Sequence, residues 1–136
     1  MRRLRVSSIV TEVACLVVFA PASHAQTTGS AASLQKWDAD HDGTLSVDEA
    51  KSVASAEFDK LDTDHEGTLS EKELGGRLSH GAFQAIDKDH DGTVSKDEYL
   101  AAVEHRFHAA DADKDGTLDA KELGSKAGHQ LSRLLK

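Results

Sequence analysis

The chain has 136 residues, enough for one small domain, with a formal net charge of −8, one cysteine and 4% aromatic residues. That acidity disfavours nucleic acid and anionic membrane surfaces as partners, and no disulfide or paired-thiolate metal site can form from Cys15 alone. No arrangement of nucleophile and base is recognisable either, so the expectation is a protein that is not an enzyme.

Residues 1–25 have the pattern of an export signal peptide. Arg2, Arg3 and Arg5 precede the apolar run Val13–Ala20, and Ser23-His24-Ala25 supplies small residues before a cut. The apolar run is too short to span a bilayer. The expected location is therefore periplasmic or secreted. Removing a leader of charge +2 leaves −10 on the remainder, with no cysteine and no methionine. Residues 26–33 (QTTGSAAS) read as a flexible N-terminal segment, and residues 34–136 as the folded domain.

That domain is a repeat. Twelve-residue segments begin at Asp38 (DADHDGTLSVDE), Asp62 (DTDHEGTLSEKE), Asp87 (DKDHDGTVSKDE) and Asp111 (DADKDGTLDAKE). Three of them fit the EF-hand calcium-loop pattern in full, and the second departs only at Glu66. Four positions before each loop stands Leu34, Phe58, Phe83 or Phe107. At position eight stand Leu45, Leu69, Val94 and Leu118, placed to join loops through short strands.

Hard cations take oxygen ligands, so the loop positions translate into candidate metal ligands. Loop one offers Asp38, Asp40, Asp42, the Thr44 carbonyl, Ser46 through water, and Glu49 with both oxygens. Loop two offers Asp62, Asp64, Glu66, Thr68, Ser70 and Glu73. Loop three offers Asp87, Asp89, Asp91, Thr93, Ser95 and Glu98, and loop four Asp111, Asp113, Asp115, Thr117, Asp119 and Glu122. Loop four brings five ligand-position carboxylates and the others four each, so it should bind most tightly. Loop two should bind most weakly, because Glu66 is one methylene longer than Asp. His41, His65 and His90 stand at position four, where they should face solvent, and imidazole is a poor donor for a hard ion. His105 and His108, three apart on a helix, are compatible with a secondary transition-metal site.

Twelve residues lie between Glu49 and Asp62, and twelve between Glu98 and Asp111, room for one shared helix each. Ala50, Val53, Ala54, Phe58 and Leu61 fall on one face of the first. Tyr99, Leu100, Val103, Phe107 and Ala110 fall on one face of the second. Gly75-Gly76 and Ser79 predict a break between loops two and three. With that break the long helices run antiparallel and the loops pair one–four and two–three. An unbroken bundle would pair one–three and two–four instead. Leu131, Leu134 and Leu135 form a last amphipathic turn able to cover the helices.

The short spacing, the shared helices and the leader resemble lanmodulin, a family of periplasmic lanthanide-binding EF-hand proteins. The likeness is closest from Lys96 to Gly128, KDEYLAAVEHRFHAADADKDGTLDAKELGSKAG. The family's proline at loop position two is absent here (Ala39, Thr63, Lys88, Ala112), and its acidic residue at position nine is present only as Asp119. The resemblance implies an all-α, compact bundle of about three helices carrying four EF-hand loops, paired one–four and two–three. It also implies up to four lanthanide(III) and/or Ca2+ ions, folding on binding, and a role in sequestration, buffering or delivery. The competing expectation is a calcium sensor or adaptor that docks a periplasmic protein partner. The lack of methionine after Met1 counts against promiscuous target binding.

Overall fold

The computed structural model describes residues 28–136. The expected leader at 1–25 lies outside the described residues. From residue 28 the chain is mostly helical: α1 (Thr28–Trp37), α2 (Val47–Leu61), α3 (His80–Ile86), α4 (Lys96–Ala110), α5 (Ala120–Leu123) and α6 (Lys126–Ser132). Four short strands lie within the loops: β1 (Leu45–Ser46), β2 (Thr68–Ser70), β3 (Thr93–Ser95) and β4 (Thr117–Leu118). The expected helical bundle is present, built from two long helices and four short ones rather than about three. None of the described helices is long and apolar enough to cross a membrane.

The long helices α2 and α4 each run 15 residues, about 22 Å. Each starts with a complete capping box. The Ser46 or Ser95 hydroxyl takes the backbone N–H of Glu49 or Glu98, and that glutamate reaches back to the cap N–H. Neither helix contains Gly or Pro, so both continue until the next loop's first aspartate takes over the C-cap. They pack antiparallel. Lys51 near the start of α2 meets Glu104 late in α4 at 2.9 Å, and Asp59 late in α2 meets Lys96 at the start of α4 at 2.8 Å. These half-exposed pairs record the direction more than they stabilise it. The stabilising contact lies between them, where the Phe58 and Tyr99 rings meet edge to face with centroids 5.7 Å apart.

The loops pair as expected. β1 runs antiparallel to β4, with Leu45 opposite Leu118, and β2 antiparallel to β3, with Leu69 opposite Val94. All four position-eight side chains are fully buried. The break between loops two and three is also where expected. Gly75 (φ 56°) and Gly76 (φ 77°) adopt left-handed backbone, which stops a helix, and Ser79 caps α3.

Two features differ from the sequence expectation. Residues 28–33, read as part of a flexible segment, are helical in α1. Leu34 and Trp37 are buried and dock that helix, and its Ser30 hydroxyl lies beside Gly124. The periodic pair Leu34/Trp37 sits at the C-terminal end of the segment, so the polar residues ahead of it carried no signal of their own. The buried face of α2 also includes Glu57 alongside Ala50, Ala54 and Phe58, whereas Val53 and Leu61 are only partly buried.

The C-terminal leucines do cover the helices. Leu131, Leu134 and Leu135 are fully buried, the Tyr99 hydroxyl donates to the Leu134 carbonyl at 2.6 Å, and Arg106 donates to the Gln130 carbonyl at 3.0 Å. Gly128 permits this packing. A Cβ there would lie 2.2 Å from the Glu122 carbonyl oxygen, so α6 lies backbone to backbone on the exit of loop four.

Candidate metal centres

Each loop gathers three carboxylates so that one oxygen from each lies within 4.8 Å of the others. The groups are Asp38/Asp40/Glu49, Asp62/Asp64/Glu73, Asp87/Asp89/Glu98 and Asp111/Asp113/Glu122, at positions one, three and twelve. The position-one aspartates are buried, the position-three aspartates exposed and the glutamates half-buried.

Backbone donors aim these carboxylates. The position-six glycine N–H reaches Oδ2 of the position-one aspartate in every loop: Gly43 at 2.9 Å, Gly67 at 3.0 Å, Gly92 at 3.1 Å and Gly116 at 3.1 Å. The glycines have φ between 81° and 90°, a turn that a side chain would strain. The position-twelve glutamate closes the loop. Its Oε1 accepts the position-two N–H (Ala39, Thr63, Lys88 or Ala112) and its Oε2 the position-nine N–H.

These bonds favour the charged glutamates. The Ser70 backbone and hydroxyl hold Glu73 down to about 2, helped by Thr63. Glu98 is lowered by the Ser95 and Lys88 backbone N–H groups. Glu49 is lowered although desolvation opposes it, because the Ser46 and Ala39 N–H groups outweigh burial. Asp40 moves the other way. The Asp42 N–H favours its charge, but desolvation and the carboxylates of Asp42, Asp38 and Glu49 together raise it. A cation would relieve that crowding.

The remaining expected ligands make further contacts within each loop. Position five lies outside the three-carboxylate groups. Asp42, Asp91 and Asp115 instead accept both the N–H and the hydroxyl of the position-seven threonine, at 2.7–2.8 Å. Glu66 of loop two makes no such bond among those described, the structural counterpart of its longer side chain. At position nine, Ser46, Ser70 and Ser95 donate their hydroxyls to the position-twelve glutamate at 2.8 Å, a role the sequence reading missed. The S-x-x-E spacing was the available signal, since it is a capping box as well as a pair of ligand positions. Asp119 caps α5 by accepting the Glu122 N–H at 2.7 Å, without a hydroxyl to donate. His41, His65, His90 and Lys114 adopt left-handed backbone with φ of 58–61° and are exposed, as expected for position four.

The donors suit a hard cation: three carboxylates per group, with no sulfur and no imidazole. One atom points to a missing partner. Asp87 is 4% exposed and its Oδ1 is buried without any hydrogen bond. The corresponding Asp38 and Asp111 oxygens accept the position-four N–H at 2.6 and 2.7 Å. A buried carboxylate oxygen left alone is costly, and a bound cation would satisfy it.

The sequence pattern of the EF hand matches residues 31–54, 56–79, 80–103 and 102–125. No curated protein matches the chain. Each matched segment carries one loop with its carboxylate group, and together they span well over half of the 136 residues. On that repeated agreement of pattern and geometry, the chain is a member of the EF-hand family, with four loops built for calcium or similar metal ions.

Proposed function

We propose that the protein is an exported metal carrier, not a catalyst, that takes up lanthanide(III) ions, and calcium more weakly, at up to four sites. It folds as it does so and sequesters, buffers or delivers the ions. The observation carrying this reading is the set of four near-identical carboxylate groups, each aimed by the same backbone donors. A trivalent ion gains more than a divalent one from any such group by charge alone. The pairing of loops one–four and two–three around shared helices supports the likeness to the lanthanide-binding family.

Trp37, buried immediately before Asp38, supplies the test. Excitation of Trp37 should sensitise terbium luminescence at loop one, and calcium should displace terbium only in large excess. Displacement at comparable concentrations would rule out lanthanide specialisation. Export is tested separately: expression of the full chain in a bacterium should yield a periplasmic product starting near Gln26.

A second reading, a calcium sensor that docks a partner, has one feature in its favour. A groove of about 390 Å³ between α3 and α4 is lined by Ala82, Ile86, Ala102 and His105. A calcium-dependent rise in binding of a hydrophobic dye would favour that reading. The burial of Leu131, Leu134 and Leu135 predicts no such rise.

A further inference from the structure

Loop two is the only one of the four whose last ligand is not carried by a helix. Glu49, Glu98 and Glu122 each occupy the first turn of α2, α4 or α5. Glu73 keeps the same local bonds to Ser70, yet the chain from Glu71 to Gly76 is a turn that the two left-handed glycines end. Beyond those bonds and the Leu74 N–H on the Ser70 carbonyl at 3.1 Å, no helix holds the turn in place.

One contact spans the gap. Glu57 on α2 lies five residues before Asp62, the first ligand of loop two, and Arg77 lies four residues after Glu73, the last. Their side chains approach to 3.6 Å between Arg77 Nη1 and Glu57 Oε2. Glu57 is 7% exposed, the one buried charge among the described residues that is not a position-one aspartate. Its other oxygen accepts Lys60 Nζ at 2.6 Å. Arg77 Nη1 is itself buried and has no hydrogen bond, so Glu57 is its nearest compensating charge. An unpaired charge at such a site is strongly disfavoured, which holds the two side chains together. Leu74 and Leu78 are buried on either side and hold the turn against the bundle, and the ion pair adds a specific tie to α2.

We infer that Glu57 and Arg77 are positioning residues for loop two: their ion pair ties the helix entering the loop to the turn leaving it. The pair does the work of the missing exit helix and keeps Glu73 beside Asp62 and Asp64. This rests on the metal-binding reading and adds a specific outer contact on which one site of four depends. Arginine suits the task because its guanidinium stays charged and rigid when partly buried.

The test is a site-resolved titration of the full chain with lanthanum, and separately with calcium, followed by the amide signals of Gly43, Gly67, Gly92 and Gly116. Each of these amides reports one loop through its bond to the position-one aspartate. Removing an outer-shell partner of a metal site typically costs about 10–100-fold in affinity. Arg77 acts through the turn and touches no ligand itself, so Arg77→Met should weaken the Gly67 midpoint toward the lower end of that range, about tenfold. Gly92 should follow to a smaller extent through the β2–β3 pairing, and Gly43 and Gly116 should stay in place. Arg77→Lys, which retains the charge, should recover most of the loss. An unchanged Gly67 midpoint in Arg77→Met, an equal loss at all four glycines, or a loss that Arg77→Lys leaves untouched would each overturn the inference. If no glycine of the parent chain responds to either ion, the metal-binding reading itself fails.

Discussion

Where loops one and four meet, both closing glutamates sit in the first turn of a capped helix. Helices α1 and α6 then pack around α5 through close approaches at Gly124 and Gly128. Where loops two and three meet, Glu98 has that support and Glu73 does not. The strand pairing is one residue longer there, and an ion pair replaces the helix. The same twelve-residue motif is thus held by backbone packing at one end and by side-chain charge and a longer ladder at the other. Backbone packing transmits a shift in loop geometry directly to neighbouring helices. A shift at the single ion pair passes on only through the β2–β3 ladder to loop three.

The largest test of this contrast is metal removal. Excess chelator should abolish much of the helical circular dichroism, because the clustered carboxylates then repel and few aromatic residues oppose unfolding. Amide exchange should show Gly67 losing protection before Gly116. A spectrum unchanged by chelator would contradict the coupling of folding to binding.

Next in size are the closing ligands. Glu122→Gln and Glu73→Gln should each weaken their own loop by on the order of a hundredfold, since ligand charge spreads EF-hand affinities over decades. The Glu122 change should also loosen α6, read as faster exchange around Leu131, because Gly128 rests on the Glu122 carbonyl. The Glu73 change should leave α6 unaffected. Gly128→Ala examines that contact alone. Its Cβ would fall 2.2 Å from the Glu122 oxygen and 2.5 Å from Leu123 Cα, so metal-loaded stability should drop by about 1–3 kcal/mol in denaturant titrations.

Tyr99, next to Glu98 of loop three at the start of α4, bonds the tail that follows α6. Tyr99→Phe leaves the buried Leu134 carbonyl without its donor and should cost about 1–3 kcal/mol. Burial pushes the phenol up to about 12 from an ordinary value of 10. A group raised in the folded state contributes its full stability below the unfolded value and loses it as pH rises through the folded one. Stability should therefore fall between pH 10 and 12 in the parent chain, and this component should be absent in Tyr99→Phe. The smallest expected effect is a gain. Glu66→Asp should restore the bonds to Thr68 seen at the equivalent threonines, tightening loop two by less than about tenfold, in line with one hydrogen bond of about 1 kcal/mol.

Local chemistry was legible in the amino-acid order. The three-carboxylate groups, the turn glycines, the capping serine of α3 and most of the apolar faces of the long helices follow from spacing alone, because a loop of twelve residues or one helical turn encloses its own partners. The pairing one–four and two–three was reachable from the short spacing and the Gly75-Gly76 break, although a second arrangement met the same local rules. The antiparallel packing of α2 on α4 decided between them, by bringing Leu45 to Leu118 and Leu69 to Val94. Other features belonged to tertiary structure from the start. The helicity of residues 28–33 depends on the docking of Leu34 and Trp37, the burial of Glu57 depends on Arg77, and the tail closes through Tyr99 and Leu134. Each joins residues distant in the chain, and what stabilises them is removal from water in the folded molecule, a quantity that no local pattern of residue types encodes.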